Sequence, residues 1–302
     1  MTSDDDQVLR SIRRRFGPFE RFCLGAAAVV GTLSLAASVQ GARRDTERGE
    51  QLVARAEALG GDLEARHTSF VPRVAAAARA LAASEAPDLS SPAALSALQG
   101  GGVYLRLIAP RATDEAEVLR ASRESAKDAL ASCLSLGVRD AEATPSSCAP
   151  DSACMGDATA RLVNLRILLA GLAPFQEGWA ARTRGATGLD LVARASEVDV
   201  AASGALSRAR RAVDDASFVL LVVDDVPPGA SLRGETGLAA IQTTPHDVKV
   251  EVLDGRSFAP LFRATLRADA TPAASPGRSP AVLRQVQGCS LGLAVAERVR
   301  GA

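Results

Sequence analysis

Along this chain of 302 residues the hydrophobic positions change period several times, and each change marks an element. First comes an uncharged run from Phe22 to Ala42, "FCLGAAAVVGTLSLAASVQGA", 21 residues long. As a helix rising about 1.5 Å per residue it would span roughly 30 Å, the thickness of a bilayer core. The run therefore predicts a transmembrane anchor at 22–42 behind a cytoplasmic tail at 1–21. Beyond it, Leu52, Ala56, Leu59 and Leu63 recur at helical spacing. Gly60-Gly61 and Pro72 interrupt that stripe, so residues 43–101 read as a helical stalk rather than a coiled coil. Within the stalk Ser69 is expected to cap a helix running to about Ala83, and Ser91-Pro92 to start a third. Gly100-Gly101-Gly102 closes the stalk and marks the expected domain boundary.

From 102 onward, helical and extended patterns occupy separate stretches. "VYLRLI" (103–108) reads as a strand with Tyr104 and Arg106 on one face. Thr113 is placed to cap a helix reaching Leu136 and closed by Gly137, and Asp157 to cap a second. That second helix has an apolar face of Leu162, Leu165, Leu168, Leu169 and Leu172, and Pro174 stops it. A longer helix is expected over 190–214, with the stripe Leu191, Ala195, Val198, Ala202, Leu206, Ala209 and Val213. "FVLLVVDDV" (218–226) is a continuous apolar run of strand length, so both of its faces should be covered. Val248, Val250 and Val252 alternate strictly before Asp254-Gly255, which predicts a hairpin. A proline-bearing loop at 270–280 precedes a last helical or extended segment. The pattern predicts an α+β class: a transmembrane helix, a stalk, then a 102–302 domain of helices packed on a mainly antiparallel sheet.

Composition changes this picture little. Only Lys127 and Lys249 among the 35 basic side chains are lysines, and the formal net charge is zero. Such an Ala- and Arg-rich chain reflects a GC-rich genome more than a binding signature. No basic stripe interleaves with aromatics, so no nucleic-acid partner is expected.

Charge and cysteine usage bear on topology. Arg10, Arg13, Arg14, Arg15 and Arg21 precede the apolar run, against Arg43, Arg44, Arg48 and Arg55 after it, a small positive-inside bias. Val39-Gln40-Gly41 would suit signal cleavage, but the 21-residue tail is long for a signal peptide and favours an uncleaved anchor. Cys23 lies in the run, leaving Cys133, Cys148, Cys154 and Cys289 beyond it. An even number there fits an oxidising compartment, and so an inner-membrane protein with its large domain outside the cytoplasm. Four cysteines allow three pairings, and spacing does not choose among them. The preferred one closes a loop through Cys148–Cys154 and ties a helix end to the carboxy-terminal segment through Cys133–Cys289.

One motif carries chemistry on its face. "GCSLG" (288–292) fits G-x-S-x-G, the nucleophile elbow of α/β-hydrolases, with Ser290 attacking. That fold places its acid and histidine after the serine, yet no histidine follows Ser290; both, His67 and His246, lie upstream. His246, Asp254 and Ser290 satisfy the chymotrypsin order formally, which among so many aspartates and serines comes nearly free. No catalytic, cofactor or metal residue is therefore assigned, and a hydrolase using Ser290 stays as the alternative. Cys148 and Cys154 stand five residues apart with no histidine near, which suits a disulfide better than zinc. Asp214-Asp215 and Asp224-Asp225 read as a helix end and a strand end, and Trp179 and Tyr104 as core or rim positions.

Six phrases together, "GVYLRLI", "SCLSLG", the Cys148–Cys154 loop, "VNLRILLAGL", "FVLLVVDD" and "PHDVKVEVLD" ending in "LFRATLR", resemble an uncharacterised group of bacterial single-pass membrane proteins. The resemblance covers most of 102–292 and implies the anchored architecture, but no activity and no site. The expected function is a non-catalytic, membrane-anchored envelope module that binds or scaffolds another envelope protein, with a small-ligand sensor as a further alternative.

Overall fold

In a computed structural model the continuous apolar run near residue 220 becomes the most deeply covered strand of a six-stranded sheet. The structure describes residues 40–125, 129–140, 142–143, 162–227, 229–230, 241, 244–269 and 280–301. The chain divides into a smaller unit, 1–58 with 178–196, and a larger one, 59–177 with 197–302. In chain order the helices and strands are α1 (40–59), α2 (Ala65–Ala83), β1 (Leu89–Ser90), α3 (Pro92–Leu98) and β2 (Gly101–Ile108). Next come α4 (Glu115–Glu124), α5 (Leu130–Arg139), β3 (Leu162–Asn164), α6 (Leu165–Leu172), α7 (Trp179–Arg184) and α8 (Gly188–Val200). A π-helical turn, Ala201–Ala205, leads into α9 (Leu206–Asp214). The chain then runs through β4 (Ala216–Asp224), β5 (His246–Asp254), β6 (Pro260–Ala268) and α10 (Pro280–Arg300).

The sheet order is β1-β6-β5-β4-β2-β3. Pairs β1–β6, β6–β5 and β5–β4 are antiparallel, whereas β4–β2 and β2–β3 are parallel. The fold is α+β as expected, but the sheet is mixed rather than mainly antiparallel. Helices intervene between β2 and β3 and between β3 and β4, and such crossovers return the chain in the same direction. The chain reverses between β4 and β5 and again at the tight β5–β6 hairpin, which turns at the expected Asp254-Gly255.

Both faces of the sheet are covered. On one, Val103, Leu105, Leu107, Val219, Leu221 and Val223 pack on α2, α4, α6 and α9. On the other, Tyr104, Phe218, Leu220, Val222, Val248, Val250 and Val252 pack on α3, α5 and α10. The period of two thus splits each strand between two separate cores. A full side chain of this kind contributes about 1.5–3 kcal/mol when buried, so the central strands dominate stability.

Several expected boundaries move. The sequence pattern assigns 43–101 to a stalk, whereas α2 lies inside the larger unit, with Phe70, Val71, Val74, Ala78 and Leu81 in its core. Pro72 sits within α2 without ending it, and Ser69 is internal, because the helix already starts after Glu64. Gly100–Gly102 is no boundary either: Gly101 and Gly102 open β2. Asp114, not Thr113, caps α4 by accepting the Glu117 amide at 2.9 Å, and the expected long helix is split into α4 and α5. Asn164 caps α6 through the Arg166 amide, so Leu162 belongs to a strand; Asp157 lies outside the described residues. The 190–214 helix is kinked at Gly204, whose φ of +97° takes the left-handed region. Around the kink Ala201 and Ala205 are buried in place of the expected Ala202, and beyond it Leu206, Ala209 and Val213 are buried as expected. The Ser91 cap, accepting the Ala93 amide, is as expected.

Among the described residues no helix is long and apolar enough to cross a membrane. Residues 22–39 of the expected anchor, like the 1–21 tail, lie outside them.

Helices α5 and α10 meet closely. A Cβ at Gly292 would lie 2.5 Å from the Leu130 carbonyl oxygen, and one at Gly137 would lie 2.8 Å from the Ala296 methyl. Gly292→Val should therefore push the two helices apart and destabilise the larger unit by about 1–3 kcal/mol. Urea unfolding followed by circular dichroism measures this, and an unchanged midpoint would contradict the close packing.

Candidate functional site

Ser290 does not sit on an elbow. It lies near the middle of α10, half-buried, inside a helix that already begins at Pro280, and Gly288 and Gly292 are both helical. The motif is explained by packing, since Gly292 is where the α5 backbone comes close. Nor does the structure bring the formal triad together: His246 begins β5 and Asp254 ends it. Eight steps of about 3.4 Å along a strand separate them.

What the structure does bring together is a buried polar network that sequence reading missed. Arg106 on β2 donates from Nε and Nη2 to the two carboxylate oxygens of Asp224 on β4, at 2.8 and 2.5 Å. The Asp224 oxygen at 2.5 Å also faces His246 Nε2 at 2.7 Å, and His246 Nδ1 faces the Thr244 carbonyl at 2.7 Å. Gln287 on α10 closes the ring, accepting from Arg106 and donating to Thr244, each at 3.4 Å. Arg106, Asp224, His246 and Gln287 are all buried. Burial alone would raise the Asp224 carboxyl, but the charge and hydrogen bonds of Arg106, and then those of His246, outweigh it. The net effect holds the group below the usual carboxylate range. The two His246 nitrogens thus bridge the Asp224 carboxylate and the Thr244 carbonyl. The arrangement is a buried Arg106–Asp224 ion pair extended by His246. It can lock strands together, but it offers no substrate a way in. Two signals in the sequence pointed to it: an arginine inside "VYLRLI", and a carboxylate ending the apolar run "FVLLVVD".

The second histidine is equally committed. His67 in the first turn of α2 accepts the Glu64 amide at Nδ1 (3.2 Å), which leaves Nε2 to donate to Asp214 at 2.8 Å. Arg66 reaches the same Asp214 oxygen at 2.9 Å. Together these contacts tie the start of α2 to the end of α9. Tyr104 and Trp179 are buried core residues of their respective units.

Cys133 on α5 and Cys289 on α10 form a disulfide across the same close helix pair, with Cα atoms 5.0 Å apart. Cys148 and Cys154 lie outside the described residues. Among the described residues no group of three or more His, Cys, Asp or Glu side chains is placed to hold a metal ion.

One open cleft of about 530 Å³ lies in the larger unit, at the entry ends of β2 and β4. Gln99 and Gly100–Gly102 form one side, Val163 and Ile167 an apolar wall, and Arg208, Arg211, Ala212 and Asp215 the α9 side. The glycines there serve packing: a Cβ at Gly100 would strike the Ser217 hydroxyl, and one at Gly102 the Phe218 ring. Arg208 and Arg211, three residues apart on one helix, share that side. Both are exposed, and neither side chain makes a hydrogen bond or ion pair among the described residues. The cleft can therefore accept a carboxylate or phosphate beside an apolar body.

No family model, curated protein or solved structure matches this chain.

Asp224→Asn should leave Arg106 as a buried positive charge without a counter-charge, and cost about 3–5 kcal/mol. Because the folded Asp224 carboxyl is held low, its stabilisation is complete above its unfolded value of about 4. It is lost as pH falls through the folded value. Melting curves from pH 7 to pH 2 should show an acid-side loss in the native protein that is shallower in Asp224→Asn. Parallel acid limbs would show that Asp224 is not part of it.

Proposed function

We propose that this chain is a membrane-anchored module of the bacterial envelope whose larger unit stands outside the cytoplasm and binds another envelope protein. The Cys133–Cys289 disulfide carries the reading, because such bonds persist in oxidising compartments and are rare in the cytosol. The uncharged run at 22–42, and the resemblance to single-pass membrane proteins, support the anchor. A binding role fits the way both histidines are spent on internal aspartates, while the arginines of the cleft face solvent.

The compartment is tested by acid-quenching cells, then alkylating in denaturant so that burial does not hide a thiol. Cys133 and Cys289 should stay unmodified until reductant is added. Free thiols at both positions in freshly quenched protein would place the larger unit in the cytoplasm and reverse the topology.

The cleft suits an acidic segment of the partner, with Arg208 and Arg211 taking carboxylates and Ile167 an apolar side chain. A photo-crosslinking residue at Ile167 should trap a discrete protein in native membranes. That adduct should disappear when Arg208 and Arg211 are both changed to glutamate. An adduct that survives the double change would rule out the cleft as the partner surface. A second reading, a small-ligand sensor, is favoured by the volume of the cleft. It would take over if no adduct forms while citrate or phosphate raises the melting temperature of the native protein and not of the double variant.

A further inference from the structure

The smaller unit joins the helix that continues the uncharged run to a turn much further along the chain. Helix α1 includes the last three residues of that run, 40–42, and Asp45 follows within one turn. The Asp45 carboxylate accepts the Gly188 amide at 3.3 Å, and the Glu50 carboxylate accepts from Arg184 Nε at 3.2 Å. The segment 184–188 therefore runs antiparallel beside α1, and the α7–α8 turn lies level with Asp45. Three residues of helix amount to about 4.5 Å, so this turn stands within a headgroup's depth of Ala42, the end of the run.

Two large apolar side chains are exposed at that level. Leu189, the second residue of α8, is 87% exposed, and Val192, one turn on and on the same face, is 64% exposed. Leu191 between them is buried, so α8 already has an inward apolar face, and Leu189 and Val192 form a second one that this unit does not cover. The other exposed large hydrophobics among the described residues reach at most 40%. Arg43, Arg44 and Arg48 on α1 are exposed around the same level, the charge that anionic headgroups attract. Asp190, exposed between the two apolar side chains and the buried one, would limit insertion to the headgroup boundary.

We propose that Leu189 and Val192 insert into the surface of the leaflet that holds the anchor. The smaller unit is then seated on the bilayer at two points, the anchor and the α7–α8 turn. This rests on reading 22–42 as a membrane span. The apolar pair lies beside the stretch of α1 that leaves the bilayer, and lipid is the one apolar surface that such a helix carries with it. Interfacial apolar side chains flanked by arginines are a recurrent way of holding a segment at that depth.

The test uses the full-length protein in vesicles of phosphatidylcholine and phosphatidylglycerol. Leu189→Trp reports the turn, and Glu57→Trp, twelve residues or about 18 Å further along α1 from Asp45, serves as control. The signal of the native Trp179 is subtracted using the unsubstituted protein. Lipid carrying a nitroxide near the top of its acyl chain should quench the residue-189 emission at least twofold and leave residue 57 unaffected. Unquenched, red-shifted emission from residue 189, in protein that resists carbonate extraction, would overturn the inference while the anchor stands. Blue-shifted emission without quenching would overturn it too, by showing that a second copy or another protein covers the turn. Extraction by carbonate would overturn the anchor reading and this inference with it.

Discussion

The guanidinium of Arg106 has no exposure to solvent, and neither has the carboxylate of Asp224 that it clasps with two hydrogen bonds. In the parallel pairing of β2 with β4, Arg106 stands opposite Val222 and Asp224 opposite Ile108, so the two charges meet on a diagonal. A slip of one residue would send Asp224 to the opposite face and leave two unpaired charges in separate cores. Breaking a buried pair by removing one partner costs several kcal/mol, so the penalty for the wrong register is large. His246 extends the same constraint to β5, and Gln287 extends it to α10. One ionic contact thus sets the alignment of the three central strands and the seat of the carboxy-terminal helix.

That helix is held a second time by α5. Small residues let the two backbones approach, and the Cys133–Cys289 bond crosses the gap they leave. The bond joins residues 156 apart in sequence. Closing a loop of that length contributes on the order of 4–5 kcal/mol in the chain-entropy account. Both sulfurs belong to buried residues, so reductants reach them only when the helices separate. The polar network and the disulfide therefore act on α10 from two sides, one through register and one through chain entropy.

What could be read from the sequence follows from how local each signal is. The strands VYLRLI and FVLLVVD and the alternating valines at 248, 250 and 252 all form where expected, because period and length alone decide them. The Cys133–Cys289 pair was the preferred of three connectivities, chosen without geometry, and the fold brings it together. Parallel pairing was hidden, since nothing local to β2 reports that β4, more than a hundred residues later, lies beside it. The expected stalk absorbed α2 because alanine-rich helices look alike in a stalk and in a core; only packing distinguishes Val71 and Val74 from surface residues. Arg106, Asp224 and His246 were each visible as oddities, but their meeting depends on strand order. The G-x-S-x-G match misled because glycine serves close helix packing as readily as a strained turn.

A protein so built has placed its most reactive groups inside. Both histidines and the buried Asp224 carboxylate hold strands and helices together, which leaves recognition to groups that the fold does not consume. Two surface features remain in excess of what packing requires: the arginines of the cleft and the apolar turn beside α1. Neither promises high affinity alone, since two exposed arginines bind an anion weakly in water. Tethering changes what is needed. A protein confined to a bilayer meets a partner in the same bilayer at an effective concentration in the millimolar range, set by the length of the tether. On the proposed anchoring a millimolar contact in the cleft would be half occupied, and an α1 seated on the membrane as proposed would keep the tether short. If the chain is anchored as proposed, it can therefore act through a cleft that would be too weak to matter in a freely diffusing protein.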